Sequence, residues 1–365
     1  MHHSDSATVT TVDTLAKLLD VCGELRASEQ VDGRAVTGCS FDSRAVSAGD
    51  VFFCKGAAFK PAFLSMALDA GAVAFVCEES LVESLEPLAK ESGAAMLVVG
   101  SVRTAMALLP PEVYDRPDHD VKIVGITGTK GKTTAAFMLQ SIIKAAGESC
   151  GMIGSVSTDD GIECHESTNT TPEAPEVWRH IANCRASGRQ SMVMEVSSQA
   201  LKYQRVENLP FDVACFLNIG RDHISPIEHP TFEDYFESKL RIFDQAKTAV
   251  VNLGTDEVER VLEAASTAEH LVTVGVEHPE ANLWASDVRM VGFNIEFNLH
   301  GLSADEPEAG EKVLLGIAGD FNVENALVAI AAAREIGIGI AGPISGGRPG
   351  SACRRGRGRD LCLYR

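Results

Sequence analysis

GITGTKGKTTAAFML, residues 125–139, decides the fold. It overlaps an apolar run, VKIVGI at 121–126, with the length and composition of a buried strand. From Lys132 onward the spacing predicts a helix with Leu139, Ile142 and Ile143 on its apolar side. The turn between them holds Gly128, Thr129, Lys130 and Gly131, and Lys132, Thr133 and Thr134 follow. Such a turn aims backbone N–H groups and a helix N-terminus at one point, which suits the polyphosphate of a nucleotide triphosphate. Lys132 can neutralise phosphate charge, and the Thr133 hydroxyl can ligate Mg²⁺. The generic phosphate-loop pattern wants a glycine five residues before Gly131, where this chain has Ile126. A plain Gly-rich turn is the competing reading, and the strand–GxxGKTT–helix context disfavours it.

Outward from the loop, strand candidates alternate with helical stretches: SMVME at 191–195, VACFLN at 213–218, AVVNL at 249–253 and LVTV at 271–274. That alternation predicts an α/β domain with a mostly parallel sheet over about 119–340. The segment 283–300 alternates like an antiparallel hairpin, and 322–336 reads as a helix stopped by Gly337. Residues 1–115 predict a smaller α/β domain with strands at 51–53, 72–77 and 95–99 and a helix at 62–70. PPEVYDRPDHD, 110–120, reads as the linker between the two.

Composition narrows the function. The 365 residues suffice for two or three domains, and 45% hydrophobic with 23% charged residues is ordinary for a globular chain. No apolar run approaches the length of a membrane span, and the start lacks a secretory pattern. Ten scattered cysteines without a CxxC pair suggest a reducing cytoplasm. A net charge of −19 argues against a nucleic-acid surface. Six arginines and Asp360 give residues 343–365 a balance of +5, so the rest carries −24. This basic tail, 341–365, reads either as an RNA-binding Arg/Gly segment or as aberrant text without a role, and its shortness favours the second.

Four constellations carry candidate chemistry. Glu195 ends an apolar strand, where a carboxylate can hold Mg²⁺ beside a triphosphate or simply meet solvent. NIGRDH, 218–223, offers Asn218, Asp222 and His223 after another strand, and beside a phosphate loop His223 becomes a candidate ligand for a second metal. In YFESKLRIF, 235–243, helical spacing puts Tyr235, Phe236, Lys239 and Phe243 on one side. Helix pattern alone makes Lys239 a snorkelling surface lysine. In GDFNVENAL, 319–327, Asn322 and Asn325 are either helix caps or readers of an adenine edge.

In their order and spacing these pieces resemble the Mur ligases, the ATP-dependent amide-forming enzymes of peptidoglycan synthesis. The likeness is strongest to the MurE type, which adds the third amino acid. It is carried by FDSR at 41–44 with GDVFFCKG at 49–56, by TNTTPE at 168–173 and by MEVSSQALKYQRVE at 194–207, and it runs from about 35 to 340. The resemblance implies that Ser43 and Arg44 contact the uridine nucleotide. It implies that Asn169, Thr170, Thr171, Ser197 and Arg205 hold the muramoyl dipeptide, and that Asn322 and Asn325 lie near adenine. Glu195 and His223 match a metal-binding pair, and Lys239 matches a lysine that is carbamylated to help hold a second Mg²⁺. The implied partners are a UDP-linked muramoyl dipeptide and a free amino acid, diaminopimelate or L-lysine, acted on by a cytoplasmic monomer.

The chain departs from that pattern in places. Gln199 stands where many relatives carry histidine, and ISPIEHP, 224–230, replaces an LDYHG-like stretch. Neither a YAH(N/T)P segment nor DNPR, both features of the third domain, occurs. The expectation is therefore a missing C-terminal domain, from a frameshift near 340–350, and a chain that binds its substrates but ligates poorly. Competing expectations are a folylpolyglutamate synthase-like ligase, against which the FDSR domain argues, and a non-catalytic nucleotide-binding protein on the same scaffold.

Overall fold

The computed structural model describes residues 10–29, 31–222, 224, 225, 228–302 and 310–339. His223 and the basic tail lie outside the described residues, as does the expected frameshift region beyond Gly339. The chain forms two compact units: 1–119 with 172–182 and 203–208, and the remainder. Among the described residues no helix is long and apolar enough to cross a membrane.

The first unit holds β1 (Leu25–Glu29), β2 (Gly38–Ser40), β3 (Asp50–Phe53), β4 (Ala74–Glu78) and β5 (Ala95–Val99), in the order β1-β5-β4-β3-β2. Strands β2 to β5 are parallel and β1 is antiparallel. Consecutive buried residues such as Ala95–Val99 mark strands covered on both faces. Helices α1 (Val12–Val21) and α4 (Val102–Val113) share one apolar cluster with Val51, Val76 and Leu97. Helices α2 (Pro61–Asp69) and α3 (Val82–Ser92) share the opposite one with Phe52, Phe75 and Met96.

The expected linker at 110–120 is corrected. Pro110 and Pro111 form the last turn of α4, capped at its start by the Ser101 hydroxyl, and a 3-10 turn covers Pro117–His119. The ring fixes φ at a helical value, and burial of Leu109, Pro110, Pro111 and Val113 offsets the lost N–H donors.

The second unit is built on an eleven-stranded sheet. Its strands are β6 (Lys122–Thr127), β7 (Cys150–Ile153), β8 (Ser157–Asp159), β9 (Cys164–Glu166), β10 (Ser191–Glu195), β11 (Phe211–Phe216), β12 (Ala246–Asn252), β13 (His270–Val276), β14 (Leu283–Val291), β15 (Asn294–His300) and β16 (Glu311–Leu315). The order is β16-β15-β14-β13-β12-β11-β6-β10-β7-β8-β9, parallel from β14 to β7 and antiparallel at both ends. Strand β6 lies between β10 and β11, which makes its C-terminal end the topological switch point where α/β sheets bind ligands.

Helix α5 (Lys132–Ala145) follows β6, and α10 (Phe321–Glu335) packs beside it in the same core, with Val124, Ile126, Leu139, Ile143 and Leu327 in contact. Helix α6 (Ala174–Ala186) precedes β10, and α7 (Ser198–Lys202) follows it. Helix α8 (Phe232–Leu240) precedes β12, and α9 (Val258–Ala265) precedes β13. α8 ends at Leu240, so Phe243 falls in a 3-10 turn (Arg241–Gln245) rather than on the helix.

Candidate active site at the phosphate loop

Strand register builds the site. Glu195 on β10 pairs with Ile126 on β6, and Phe216 on β11 pairs with Thr127. Three strand ends therefore converge where the chain turns from β6 into α5. Gly131 is the N-cap of α5 with φ +88°, a left-handed conformation that glycine adopts without strain. A Cβ there would lie 2.4 Å from Asn325 Oδ1, so the close approach of α10 also requires glycine.

Asn218 clamps the loop. Its Oδ1 accepts from Lys130 N at 3.0 Å, and its Nδ2 donates to Lys130 O at 3.1 Å. The Tyr235 hydroxyl from α8 lies 3.1 Å from Thr129 Oγ1, which ties that helix to the loop. Lys132 Nζ and Lys239 Nζ both donate to Gly128 O, at 2.8 and 2.9 Å. Lys239 is not the surface residue its helix pattern suggested. It is 1% exposed, with its amine over the Tyr235 ring. Burial, then the neighbouring Lys132 charge, hold its pKa well below the ordinary lysine value, with Asp222 opposing. Burial also lowers Lys132, against the pull of Glu195 and Asp222.

Glu195 is buried and faces the loop. Its Oε2 accepts from Thr133 Oγ1 at 2.9 Å and from Ser155 Oγ at 3.1 Å, while Oε1 accepts from Ser155 N at 2.8 Å. Sequence reasoning missed Ser155. The available signal was a Gly-Ser pair after the short apolar strand β7, where a Cβ on Gly154 would lie 2.5 Å from Glu195 Oε1. Thr133 and Glu195 thus present hard oxygen donors at one point, a donor set that suits Mg²⁺.

The remaining expected residues distribute as follows. Thr170 Oγ1 accepts from Ser155 Oγ at 3.0 Å, and Thr171 donates to Glu195 O at 2.9 Å. Ser197 Oγ accepts from Ala200 N at the start of α7. Asn169 is exposed, Thr134 half-buried. Asn322 and Asn325 are buried, joined by a 3.1 Å hydrogen bond, and Asn322 Nδ2 donates to Ala318 O. In the first unit, Ser43 Oγ lies 3.9 Å from Met66 Sδ, Arg44 is exposed and paired with Asp42, and Arg205 Nε lies 3.1 Å from Glu173 Oε1.

Comparison with known proteins follows the same lines. A family model described as the Mur ligase middle domain matches residues 126–333. UDP-N-acetylmuramyl-tripeptide synthetase of Lacticaseibacillus paracasei is 36% identical over 346 residues, covering 87% of this chain and 62% of the relative. UDP-N-acetylmuramoyl-L-alanyl-D-glutamate–L-lysine ligase of Streptococcus suis is 36% identical over 301 residues, covering 82% and 58%. A solved structure of a UDP-N-acetylmuramoyl-L-alanyl-D-glutamate–2,6-diaminopimelate ligase shares the fold, with TM-score 0.73 and 22% identity over 90% of this chain and 64% of that one. The chain spans about three-fifths of the length of the curated relatives it matches.

Proposed function

This chain belongs to the Mur ligase family, and we propose that it serves ATP-dependent amide formation in peptidoglycan precursor synthesis, as a cytoplasmic monomer. The proposed substrates are ATP, UDP-N-acetylmuramoyl-L-alanyl-D-glutamate and a third amino acid, L-lysine or diaminopimelate. The observation that carries this reading is the Thr133–Glu195–Ser155 contact at the phosphate loop, with Lys132 and Lys239 converging on Gly128 O.

The γ-phosphoryl group passes to the terminal carboxylate of the UDP-linked dipeptide, giving an acyl phosphate and ADP. The amine then attacks the acyl carbon, and the tetrahedral intermediate expels phosphate to leave the amide. Nothing in this sequence needs an enzyme nucleophile, so the chain's work is positioning and charge stabilisation. Loop N–H groups and Lys132 hold the phosphates. Thr133 and Glu195 would hold Mg²⁺, which neutralises charge on the phosphoryl oxygens. Lys239, whose environment favours the neutral amine, is suited to add CO₂ with loss of a proton, becoming an anionic carbamate; with His223 it would complete a second Mg²⁺ site. In this reading Asn322 and Asn325 would lie near adenine, and Ser43, Arg44, Asn169, Thr170, Thr171, Ser197 and Arg205 would contact the UDP-dipeptide.

The test is ADP release with the UDP-dipeptide and either amine, with the product identified by mass. Release that needs both the dipeptide and one amine supports the proposal; ATP binding without turnover returns the chain to the non-catalytic reading. Glu195→Gln keeps the shape and removes the charge, so the Mg²⁺ needed for half-maximal release is expected to rise about tenfold or more.

A further inference from the structure

ISPIEHP, the stretch at 224–230 that replaces the LDYHG-like pattern, has no part in the phosphate-loop chemistry described so far, and it carries His229. His229 is fully buried, and both of its ring nitrogens are engaged. Nδ1 lies 2.6 Å from Asp234 Oδ2, in the first turn of α8, and Nε2 lies 2.9 Å from Ser198 Oγ, at the start of α7. Lys202 Nζ, at the end of α7, donates to the same Asp234 oxygen at 2.7 Å and to Glu228 O at 3.1 Å. The Lys202 hydrogen bond holds the Asp234 carboxyl below the usual carboxylate range. A carboxylate only accepts, so Nδ1 carries a proton and the ring is held in one orientation.

Serine, histidine and aspartate joined in that order are the parts of an acyl-transfer triad. Here the serine and the ring are both buried, which keeps a substrate from them. Nor does packing alone require the set. An apolar contact would staple α7 to α8 as well, whereas a buried polar relay specifies one geometry. What the ring touches shows which geometry that is. Its centroid lies 5.1 Å from that of Tyr235, edge to face at 68°. Tyr235 in turn has Lys239 Nζ 4.8 Å from its ring centroid and Thr129 Oγ1 3.1 Å from its hydroxyl. Asp234, Tyr235 and Lys239 all ride on α8, with Lys239 one turn beyond Tyr235. Sliding or rotation of α8 would draw the Lys239 amine away from Gly128 O, 2.9 Å distant. The Asp234–His229–Ser198 relay opposes that motion, since it ties α8 to α7, which follows the strand that ends in Glu195.

We propose that His229 is a positioning residue for Lys239: through Asp234, Ser198 and the Tyr235 ring it fixes α8 against the segment that follows Glu195. The relay acts through geometry and touches no substrate, in the way that a supporting shell holds a reactive group to the position its chemistry needs. This inference rests on the proposed uptake of CO₂ by Lys239 and adds the residues that keep that amine in place.

The test is carbon NMR of the whole chain in isotope-labelled bicarbonate, with melting curves beside it. The unsubstituted chain is expected to give a carbamate signal that Lys239→Met loses. His229→Phe keeps a ring but strands both partners, so the bicarbonate needed for half of that signal is expected to rise about tenfold. Asp234→Asn should raise it less, and Ser198→Ala, the mildest change, about two- to threefold. If the bicarbonate dependence is the same in all three variants while the melting temperature falls, the relay is only a staple and the inference is overturned, with the ligase reading intact. If His229→Phe loses the signal while Asp234→Asn and Ser198→Ala match the unsubstituted chain, the ring acts without its hydrogen bonds, which also overturns it. An unsubstituted chain that binds ATP yet gives no carbamate signal would instead remove the reading of Lys239, and this inference with it.

Discussion

Lys55, Arg103 and Arg205 in the first unit gather around a carboxylate in partly open positions, whereas Lys132 and Lys239 in the second unit converge on a single peptide oxygen, Gly128 O. In the first arrangement the cations stay partly open to solvent, at 18–34% exposure, around one carboxylate, Glu173. The second withdraws two amines from water and sets them against each other, so that burial and Lys132 push Lys239 toward the neutral form. Charge held around one carboxylate suits a lasting ion-pair staple. A suppressed charge suits a site whose own composition changes when phosphate, Mg²⁺ or CO₂ arrives.

The sharpest way to break that contrast is Lys132→Ala. Removing the phosphate-loop amine is expected to weaken ATP about 10²-fold or more, since a buried charged contact is lost. Stability should change little, the reverse of Lys55→Met, which breaks the ion pair to the nearly buried Glu173. ATP titrations beside melting curves of both variants check it; equal losses of ATP affinity and of stability in the two would mean that the clusters do not act separately.

Lys239→Met probes the suppressed charge itself. An amine whose folded pKa lies below the usual 10.5 binds fewer protons folded than unfolded between those two values. Stability of the native chain should therefore rise with pH through that window as the penalty fades. Methionine carries no such penalty, so the variant is expected to melt higher at neutral pH by roughly 2–4 °C per kcal/mol recovered. Its advantage should shrink toward pH 10.5. Melting curves across pH decide the matter, and a constant gap would show that the amine's charge costs nothing. Ligation should fall with the same change, and native mass measurement in bicarbonate should find the added CO₂ only on the unsubstituted chain.

The same contrast explains what could be read from the chain. Local pattern was enough for β5 and β10, whose continuous apolar runs end at the residues expected, and for the hairpin of β14 and β15. The phosphate loop was legible because its chemistry is contiguous: glycine, lysine and threonine within one turn. Glu173 was not, because its cations arrive from the loop after β3, from α4 and from residue 205, and no spacing connects them. Lys239 was misread by pattern for a related reason. A helix repeat tells which side a residue occupies, but only the packing of Phe216, Phe236 and Phe243 around the same helix makes that side interior. Asn218 stood out in the sequence only as an amide at a strand end beside Asp222 and His223, and in the fold that amide closes the Lys130 peptide. Strand β7 is only four residues long, and β8 and β9 are short and polar, so periodicity had little to act on there.

The smallest effect tests how rigidly the second cluster is held. Gly131→Ala puts a Cβ at a φ of +88° and within 2.4 Å of Asn325 Oδ1. Conformational strain of about 1–3 kcal/mol is expected from the first term, with the steric term added. Asn325→Ala removes the steric term and leaves Asn322 Oδ1 without that donor, at about 1 kcal/mol. The double variant should therefore be more stable than the sum of the singles predicts, by the clash relieved. Denaturant titrations of the four proteins measure that coupling. Strict additivity would mean that α10 shifts away from the loop at no cost, and that Gly128 O is a softer meeting point for the two lysines than the fixed carboxylate of Glu173.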